Sequence, residues 1–309
     1  MKSPARLALL LIPPLLASSA GRAEQGFITN QSSNSVSVVD LASGETLRTI
    51  AVAGAPAGVA VGPGGQVYVT SPEAGALNVI EGDSARAIPL GGGPLGIAVN
   101  PVSGAVYVAD WYGERISVVT DGAVTGEVTV GRSPSGVAVT PDGGTILTAD
   151  RDSDAVSIID AAKLVVIATV PVGVRPFGVT IDPAGAFAYT ADVGSNSVTV
   201  IDIAHRAVVA TIPAGERPYK VALAGRRGFV TNSYGDSVTV FDVDSRAPLA
   251  EIAVGEYPEG IEASRDGARL YVANWFSNTL SVIDAATLDV AREIAVGDGP
   301  RAFGDFIRD

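Results

Sequence analysis

Cysteine is absent from the 309-residue sequence, and histidine and methionine occur only once each. Without cysteine the chain can form no disulfide framework and no C-x-x-C-H haem attachment site, and it lacks the acceptor of a lipoprotein anchor. Packing and hydrogen bonds must therefore stabilise it, as a large closed sheet structure allows. We predict no bound cofactor.

Positive charge is scarce, since 21 Lys and Arg stand against 33 Asp and Glu and the net charge is −12. This balance disfavours broad electrostatic binding to nucleic acid or to an anionic membrane, although it leaves room for a local basic patch. We therefore predict that nucleic acid is not the partner.

Long hydrophobic runs are also missing. The apolar run at residues 7–16 follows a basic start, contains two prolines and is too short to span a bilayer. Small residues stand at the positions that a signal peptidase reads, so cleavage could follow either Ala20 or Ala23. The sequence predicts a signal peptide over 1–23, a periplasmic or secreted location and one domain over 24–309. A membrane anchor is the weaker alternative.

What is abundant is a repeat of roughly 40 residues, which occurs seven times. Each copy contains a short strand, then a second, strictly alternating strand, and later a Gly–Pro region before the next copy. The first strand reads FITN at 27–30, YVTS at 68–71, YVAD at 107–110, LTAD at 147–150, YTAD at 189–192, FVTN at 229–232 and YVAN at 271–274. The second includes SVSVVD at 35–40 and SVTVID at 197–202. The alternation and the β-branched residues indicate half-buried strands.

Four short strands in each repeat predict an all-β, seven-bladed β-propeller with four antiparallel strands per blade. The chain begins with the second strand of a blade and ends at 302–307 with a segment that aligns with an inner strand. We predict that the C-terminal strand completes the first blade and so removes the exposed sheet edges of an open array.

The motifs YVTN, SVTVID and V-G-x-x-P-x-G-V-A resemble the YVTN-repeat β-propeller family of exported prokaryotic proteins, over residues 26–309. The resemblance implies the architecture. The sequence is also similar to the propeller subunit of quinohaemoprotein amine dehydrogenases, to surface-layer proteins and to a single-stranded-DNA-binding propeller. Repeats two and three depart from the pattern, with Glu81 and Thr120 in place of Asp and shorter turns.

Large residues gather in two sets of loops that a propeller places on one face. One set joins strands two and three of a blade, which are the first and second strands of the sequence repeat. The other set surrounds the seven prolines. Aromatic and arginine side chains together are typical of interfaces and of sites that stack planar anions. We predict a ligand- or partner-binding face formed by Trp111, Tyr112, Arg175, Phe177, Arg217, Tyr219, Tyr234, Tyr257, Glu259, Trp275, Phe276 and Arg301. Arg132, Arg151 and Lys220 are expected in the same loops. The alternative for any single residue is packing between blades.

Three acidic residues from consecutive blades, Asp110, Asp150 and Asp192, each end the first strand of a repeat and could together hold a hard cation such as Ca²⁺. The same position is Asn in three other repeats, which favours hydrogen bonding to a tight turn instead. We predict no metal.

Catalysis finds little support, because His205 lies in a turn expected on the opposite face and no nucleophile-elbow motif is present. A Glu or Asp general base remains open: Glu259 follows Pro258 where other repeats have different residues, and Arg301 is its natural partner.

We predict an exported binding or scaffolding module whose partner is another exported protein or a small ligand. The sequence leaves the oligomeric state open. The alternatives are an enzyme or enzyme subunit acting at the channel mouth and a single-stranded nucleic-acid binder, which would show salt-dependent affinity.

Overall fold

Each repeat forms one antiparallel sheet, and the seven sheets are the blades of a β-propeller. The computed structural model describes residues 24–308, so the predicted signal peptide at 1–23 lies outside the described residues. Within the described residues, no helix has the length and apolarity needed to cross a membrane. The predicted fold class is confirmed.

The strands follow one another in a regular series interrupted by a single-turn 3-10 helix at Arg151–Ser153. In chain order they are β1 (Gln25–Asn30), β2 (Ser35–Asp40), β3 (Glu45–Ala51), β4 (Gly58–Val61), β5 (Val67–Ser71), β6 (Ala76–Glu81), β7 (Ser84–Pro89), β8 (Pro94–Val99), β9 (Val106–Asp110), β10 (Arg115–Thr120), β11 (Ala123–Thr129), β12 (Pro134–Val139), β13 (Thr145–Asp150), β14 (Ala155–Asp160), β15 (Val165–Pro171), β16 (Pro176–Ile181), β17 (Phe187–Asp192), β18 (Ser197–Asp202), β19 (Ala207–Pro213), β20 (Pro218–Ala224), β21 (Arg227–Asn232), β22 (Ser237–Asp242), β23 (Pro248–Ala253), β24 (Pro258–Ala263), β25 (Arg269–Asn274), β26 (Thr279–Asp284), β27 (Val290–Ala295), β28 (Phe303–Asp305) and β29 (Ile307–Arg308).

Blade 1 has the strand order β29-β1-β2-β3, and blades 2 to 7 take the following strands in groups of four. In β14 all residues but the last are buried, whereas β15, the outer strand, is mostly exposed. The core therefore lies between neighbouring blades. For example, Val156 and Ile158 of blade 4 pack in one cluster with Ala188 and Ile201 of blade 5.

The Asp that ends the third strand of most blades organises the turn to the outer strand. Asp40 Oδ1 accepts hydrogen bonds from the backbone amides of Ala42 and Ser43, at 2.9 and 2.8 Å. Repeats two and three, which have Glu81 and Thr120 there, use two-residue turns instead. A short acceptor is needed only for the longer turn, which explains the departure seen in the sequence.

The glycine of the P-x-G-V motif lies where inner strands of adjacent blades converge on the channel. A Cβ added to Gly96 would be 1.8 Å from Ser135 O, and one on Gly136 would be 2.6 Å from Phe177 O. Only glycine allows the neighbouring backbones to approach this closely.

The C-terminal segment closes the ring as predicted, but in two parts. Ile307 and Arg308 (β29) pair antiparallel with β1 and complete blade 1. The preceding strand, β28, instead runs parallel to β4 of blade 2. The last inner strand thus divides its hydrogen bonds between the two blades, which joins them across the seam.

Candidate functional site

Two sets of loops lie on one side of the propeller because each strand reverses direction. The turns between strands two and three and the connections from each outer strand to the next inner strand share this side, which we call the loop face. The predicted binding residues all come from these loops or from the inner strands that begin there. His205 lies in a turn between strands three and four and therefore on the opposite side, as expected.

The loop backbone is held by a contact that recurs between blades. The residue before the proline has a positive φ, 55° at Arg175, 53° at Arg217 and 56° at Tyr257. Its amide donates to an Asn or Asp side chain 21 residues earlier: Tyr257 N to Asp236 Oδ1 at 2.9 Å, and Arg217 N to Asn196 Oδ1 at 3.0 Å. Non-glycine residues seldom adopt this conformation, so the cross-blade bond compensates for its cost and fixes where these residues project.

Four predicted aromatic residues of blades 6 and 7 form one depression, which we call the Trp275 pocket. Its volume is about 620 Å³ and it is lined by Gln31, Ser233, Tyr234, Asp236, Glu256, Tyr257, Glu259, Trp275, Phe276 and Arg301. The rings of Trp275 and Phe276 are 4.6 Å apart and nearly perpendicular, at 83°. Tyr257 meets Phe276 at 5.2 Å and 77°, and Tyr234 at 5.4 Å. The indole Nε1 of Trp275 donates to Gln31 Oε1 at 3.3 Å, which ties this wall to blade 1.

A second depression, the Trp111 pocket, lies beside the first and shares Gln31 and Arg301 with it. Its volume is about 280 Å³, and it is lined by Gln31, Ala55, Pro72, Glu73, Gly93, Leu95, Trp111, Tyr112, Phe177 and Arg301. Tyr112 is 78% exposed, whereas Phe177 forms the buried floor. The two pockets are therefore neighbours on the loop face.

The channel itself is filled below the pockets by an aromatic plug. Phe177, Tyr219 and Phe303 are all buried, with ring centroids 4.2 Å apart for Phe177–Tyr219 and 5.1 Å for Phe177–Phe303. Trp111 lies against Phe177 at 5.8 Å. Phe177 and Tyr219 therefore belong to the floor of the site and its packing, and Tyr219 lines neither pocket.

Glu259 and Arg301 form the ion pair that the sequence suggested. Arg301 Nε lies 2.8 Å from Glu259 Oε2, and these side chains are 17% and 6% exposed. The Arg301 guanidinium thus engages Oε2 directly. Arg301 Nε also donates to the Tyr219 hydroxyl at 3.1 Å, and its Nη2 donates to the same oxygen.

The remaining predicted arginines are exposed on the loop face. The guanidinium of Arg217 lies over the ring of Tyr234, 4.1 Å from its centroid. Arg175 lines neither pocket. Arg151, from the wider set, lies 5.4 Å from the Trp111 ring and pairs with Asp152.

Asp110, Asp150 and Asp192 accept hydrogen bonds from groups of the loops and strands around them and do not converge on a common site. Asp110 Oδ1 accepts from the amides of Gly93 and Tyr112, at 2.8 and 3.1 Å. Ser157 donates to Asp150 at 2.6 Å, and Thr199 donates to Asp192 at 2.6 Å. Among residues 24–308 no cluster of three or more His, Asp or Glu is arranged to hold a metal ion.

Comparison with known protein families identifies the fold group. The model of the YNCE-like beta-propeller family matches residues 105–306. The chain belongs to this family. The predicted resemblance to YVTN-type propellers is thereby confirmed.

Solved structures similar to this YNCE-like propeller share its fold at low identity. A protein of unknown function from Desulfotomaculum acetoxidans matches with a TM-score of 0.76 and 17% identity, covering 92% of this chain and 98% of its own. Hydrazine synthase of Kuenenia stuttgartiensis matches with a TM-score of 0.72 and 19% identity, covering 80% of this chain and 88% of that chain. No curated protein matches the sequence. These likenesses concern the fold alone.

Burial governs the ionisation of the YNCE-like propeller's loop face. Burial raises the pKa of Glu259 above its usual value, and the adjacent Arg301 opposes that effect. Burial, together with the nearby Glu259 carboxylate, raises the pKa of Tyr257 to about 12. Burial also holds the pKa of Tyr219 well above its usual value. The tyrosines are therefore neutral hydrogen-bonding groups at physiological pH.

Lys220 is a correction to the sequence interpretation, because its amine is not on the loop face. Lys220 occupies the glycine position of the P-x-G-V motif and is 6% exposed. Its Nζ donates to Gly304 O and lies 3.7 Å from Asp305 Oδ1. It lines a cavity of about 450 Å³ at the opposite channel mouth. The lysine thus binds the closing strand β28.

Sequence reasoning missed several residues of the two pockets. Gln31 occupies, in blade 1, the position of Trp111 in blade 3 and Trp275 in blade 7, directly after the Asn or Asp that ends strand two. Comparing that column would have found it. Asp236 and Glu256 lack such a signal, because charged residues are common in exposed turns.

Proposed function

We propose that this YNCE-like propeller is an exported binding module that holds a ligand or partner on the loop face, across the Trp275 and Trp111 pockets. Export rests on the predicted signal peptide at 1–23, and the single-domain boundaries of 24–309 belong to the same proposal. The loop face around a rigid ring is where function resides in such scaffolds.

The observation that supports this proposal is the grouping of exposed aromatic side chains. Phe276, Tyr112 and Tyr234 are 59%, 78% and 48% exposed, and they lie in two adjoining depressions on one face. Large exposed aromatics that are grouped rather than scattered mark interaction sites. A packing role accounts for Phe177 and Tyr219, but it leaves these exposed rings without a purpose.

The two tryptophans allow a direct test, because the chain contains two and each lines one pocket. Candidate small molecules and peptides are screened by thermal shift, and each hit is titrated against the fluorescence of Trp111→Phe and Trp275→Phe variants. A ligand of the loop face should change the remaining indole emission of at least one variant.

The matched control is Val102→Ala, because Val102 is 70% exposed in a loop on the opposite face. Binding should survive this change and weaken in Trp275→Ala or Trp111→Ala. Hits that bind equally well to a Trp111→Ala/Trp275→Ala double variant would refute a loop-face site.

A further inference from the structure

We infer that the Trp275 pocket receives a cationic side chain, Arg or Lys, from a basic segment of a partner protein. The inference rests on the proposed function and specifies its chemistry. Three features carry it: the aromatic walls, the carboxylates at the rim, and the pairing of Arg301 with Glu259.

The walls have the arrangement that an organic cation needs. Trp275 and Phe276 stand at 83° to each other, and Tyr257 stands at 77° to Phe276. Nearly perpendicular rings surround a guest from more than one side, and the negative faces of aromatic rings attract ammonium and guanidinium groups. The same cluster already engages a guanidinium, since Arg217 lies 4.1 Å from the centroid of Tyr234.

The rim of the pocket supplies negative charge. Asp236 and Glu256 line the pocket beside the aromatic walls. Glu259 also lines it, but its buried Oε2 already lies 2.8 Å from Arg301 Nε. The two rim carboxylates are therefore the groups that attract a cationic guest.

The pocket's own arginine does not balance these acids. Arg301 is the basic residue among the lining side chains, and Glu259 and the Tyr219 hydroxyl already engage it. At the rim, the two carboxylates of Asp236 and Glu256 outnumber the one guanidinium of Arg217 over Tyr234, which leaves an excess of negative charge. An anionic guest, which aromatic and arginine residues suggested from sequence, would meet this excess and be repelled.

A polypeptide segment, rather than a free small cation, fits the shape of the site. The Trp275 pocket shares Gln31 and Arg301 with the neighbouring Trp111 pocket, whose Leu95 and Phe177 are apolar. A cationic side chain in the first pocket leaves the second for an apolar neighbour on the same segment. The net charge of −12 also favours encounter with a basic partner.

The test uses a capped peptide, acetyl-Gly-Leu-Gly-Gly-Arg-Gly-amide, and the same peptide with citrulline, the neutral isostere, in place of Arg. Binding is measured by indole fluorescence of the full chain carrying Trp111→Phe. We expect the Arg peptide to bind at least about tenfold more tightly than the citrulline peptide. Its affinity should fall as ionic strength rises.

Variants locate the effect in the pocket. Asp236→Asn removes a charge but keeps the acceptor for the Tyr257 amide, as Asn34, Asn196 and Asn278 do in other blades. Asp236→Asn/Glu256→Gln should weaken the Arg peptide about fivefold or more and leave the citrulline peptide unchanged. Asp83→Asn, an exposed change on the opposite face, is the control and should have no effect.

The outcomes separate the two proposals. Equal affinity for both peptides that is lost in Phe276→Ala, which keeps the Trp275 indole as reporter, overturns the cation preference and leaves the loop-face binding site standing. Failure of every peptide to bind at millimolar concentration also overturns it. N-acetyl-arginine amide is the third arm. If it binds as tightly as the Arg peptide, the partner-segment assignment is wrong.

Discussion

Replacing the buried carboxylates of blades 4 and 5 by amides should stabilise the protein at neutral pH. Asp150 and Asp192 are fully buried, and burial raises the pKa of each from 3.8 to about 6. The equivalent position is an asparagine in three other blades: Asn30 in blade 1, Asn232 in blade 6 and Asn274 in blade 7. The amide is therefore compatible with the local geometry.

The hydrogen bonds can be exchanged without loss. Asn232 Oδ1 accepts from Gly215 N at 3.0 Å, and its Nδ2 donates to Ser237 and Thr239 hydroxyls at 3.0 and 2.9 Å. In blade 4, Ser157 donates to Asp150. Because a hydroxyl can rotate to accept instead, Asp150→Asn keeps the contact while removing the buried charge.

The magnitude follows from the pKa values. A carboxyl whose folded pKa lies above its unfolded pKa stabilises the fold fully below pH 3.8, and this contribution is lost as pH rises through about 6. A rise of about two pKa units corresponds to about 3 kcal/mol for each Asp that is ionised at pH 7.5. An amide does not ionise, so the variant does not lose this stability as the pH rises. The difference in unfolding free energy, variant minus wild type, should therefore increase between pH 4 and pH 7.5.

Urea unfolding at both pH values measures that difference, first for Asp150→Asn and then for the double variant with Asp192→Asn. Taking the difference cancels the contributions of all other titrating groups. Asp83→Asn reports the effect of a surface amide. A difference that stays constant with pH, or that falls toward pH 7.5, would refute the reasoning.

Three further changes test the ring. Arg301→Leu alone leaves Glu259 buried without its cation and should lower the free energy of unfolding by about 3 kcal/mol. Glu259→Leu/Arg301→Leu, which places at both positions the residue found as Leu95 in blade 3, should recover most of this loss. A double-mutant cycle measured by urea unfolding tests both expectations. Gly96→Ala should unfold the protein or lower its melting temperature far more than Gly62→Ala. An added Cβ would lie 1.8 Å from Ser135 O in the first case and no closer than 3.5 Å to any neighbour in the second. Similar melting temperatures would contradict the close approach of inner strands. Deletion of residues 303–309 should abolish the single cooperative thermal transition, and an unchanged transition would show that the seam is not needed.

The blades could be predicted from the sequence because their signals are local. A strand alternates over a few residues, and a turn depends on one Asp, as at Asp40. The seam was predicted from the phase of the repeats. Its division between β28 and β29 was not, because parallel pairing with β4 depends on the width of the channel, which no single segment encodes.

The sequence predicted which face carries the site residues, but not which of them are buried in the channel and which are exposed. Phe177 and Tyr219 occupy the same column as Glu259, directly after the proline, and that column points into the channel. Tyr112 and Phe276 come from the turns and remain exposed. Residue type does not distinguish the two groups, since both are aromatic. Lys220 was misplaced because it lies in the inner strand β20 rather than in the loop, and its long side chain reaches Gly304.

The paired ends of the ring impose an order on biosynthesis. Gly26 pairs with Ile307, so nearly the whole chain is made before the first blade gains its inner strand. At the usual 5–20 residues per second, this delay is roughly 15 to 60 seconds. Throughout it, the edge of β1 presents unpaired amides and carbonyls that other nascent chains could bind. Expression yield should therefore depend on keeping that edge covered by a chaperone until the last residues are available to pair with it.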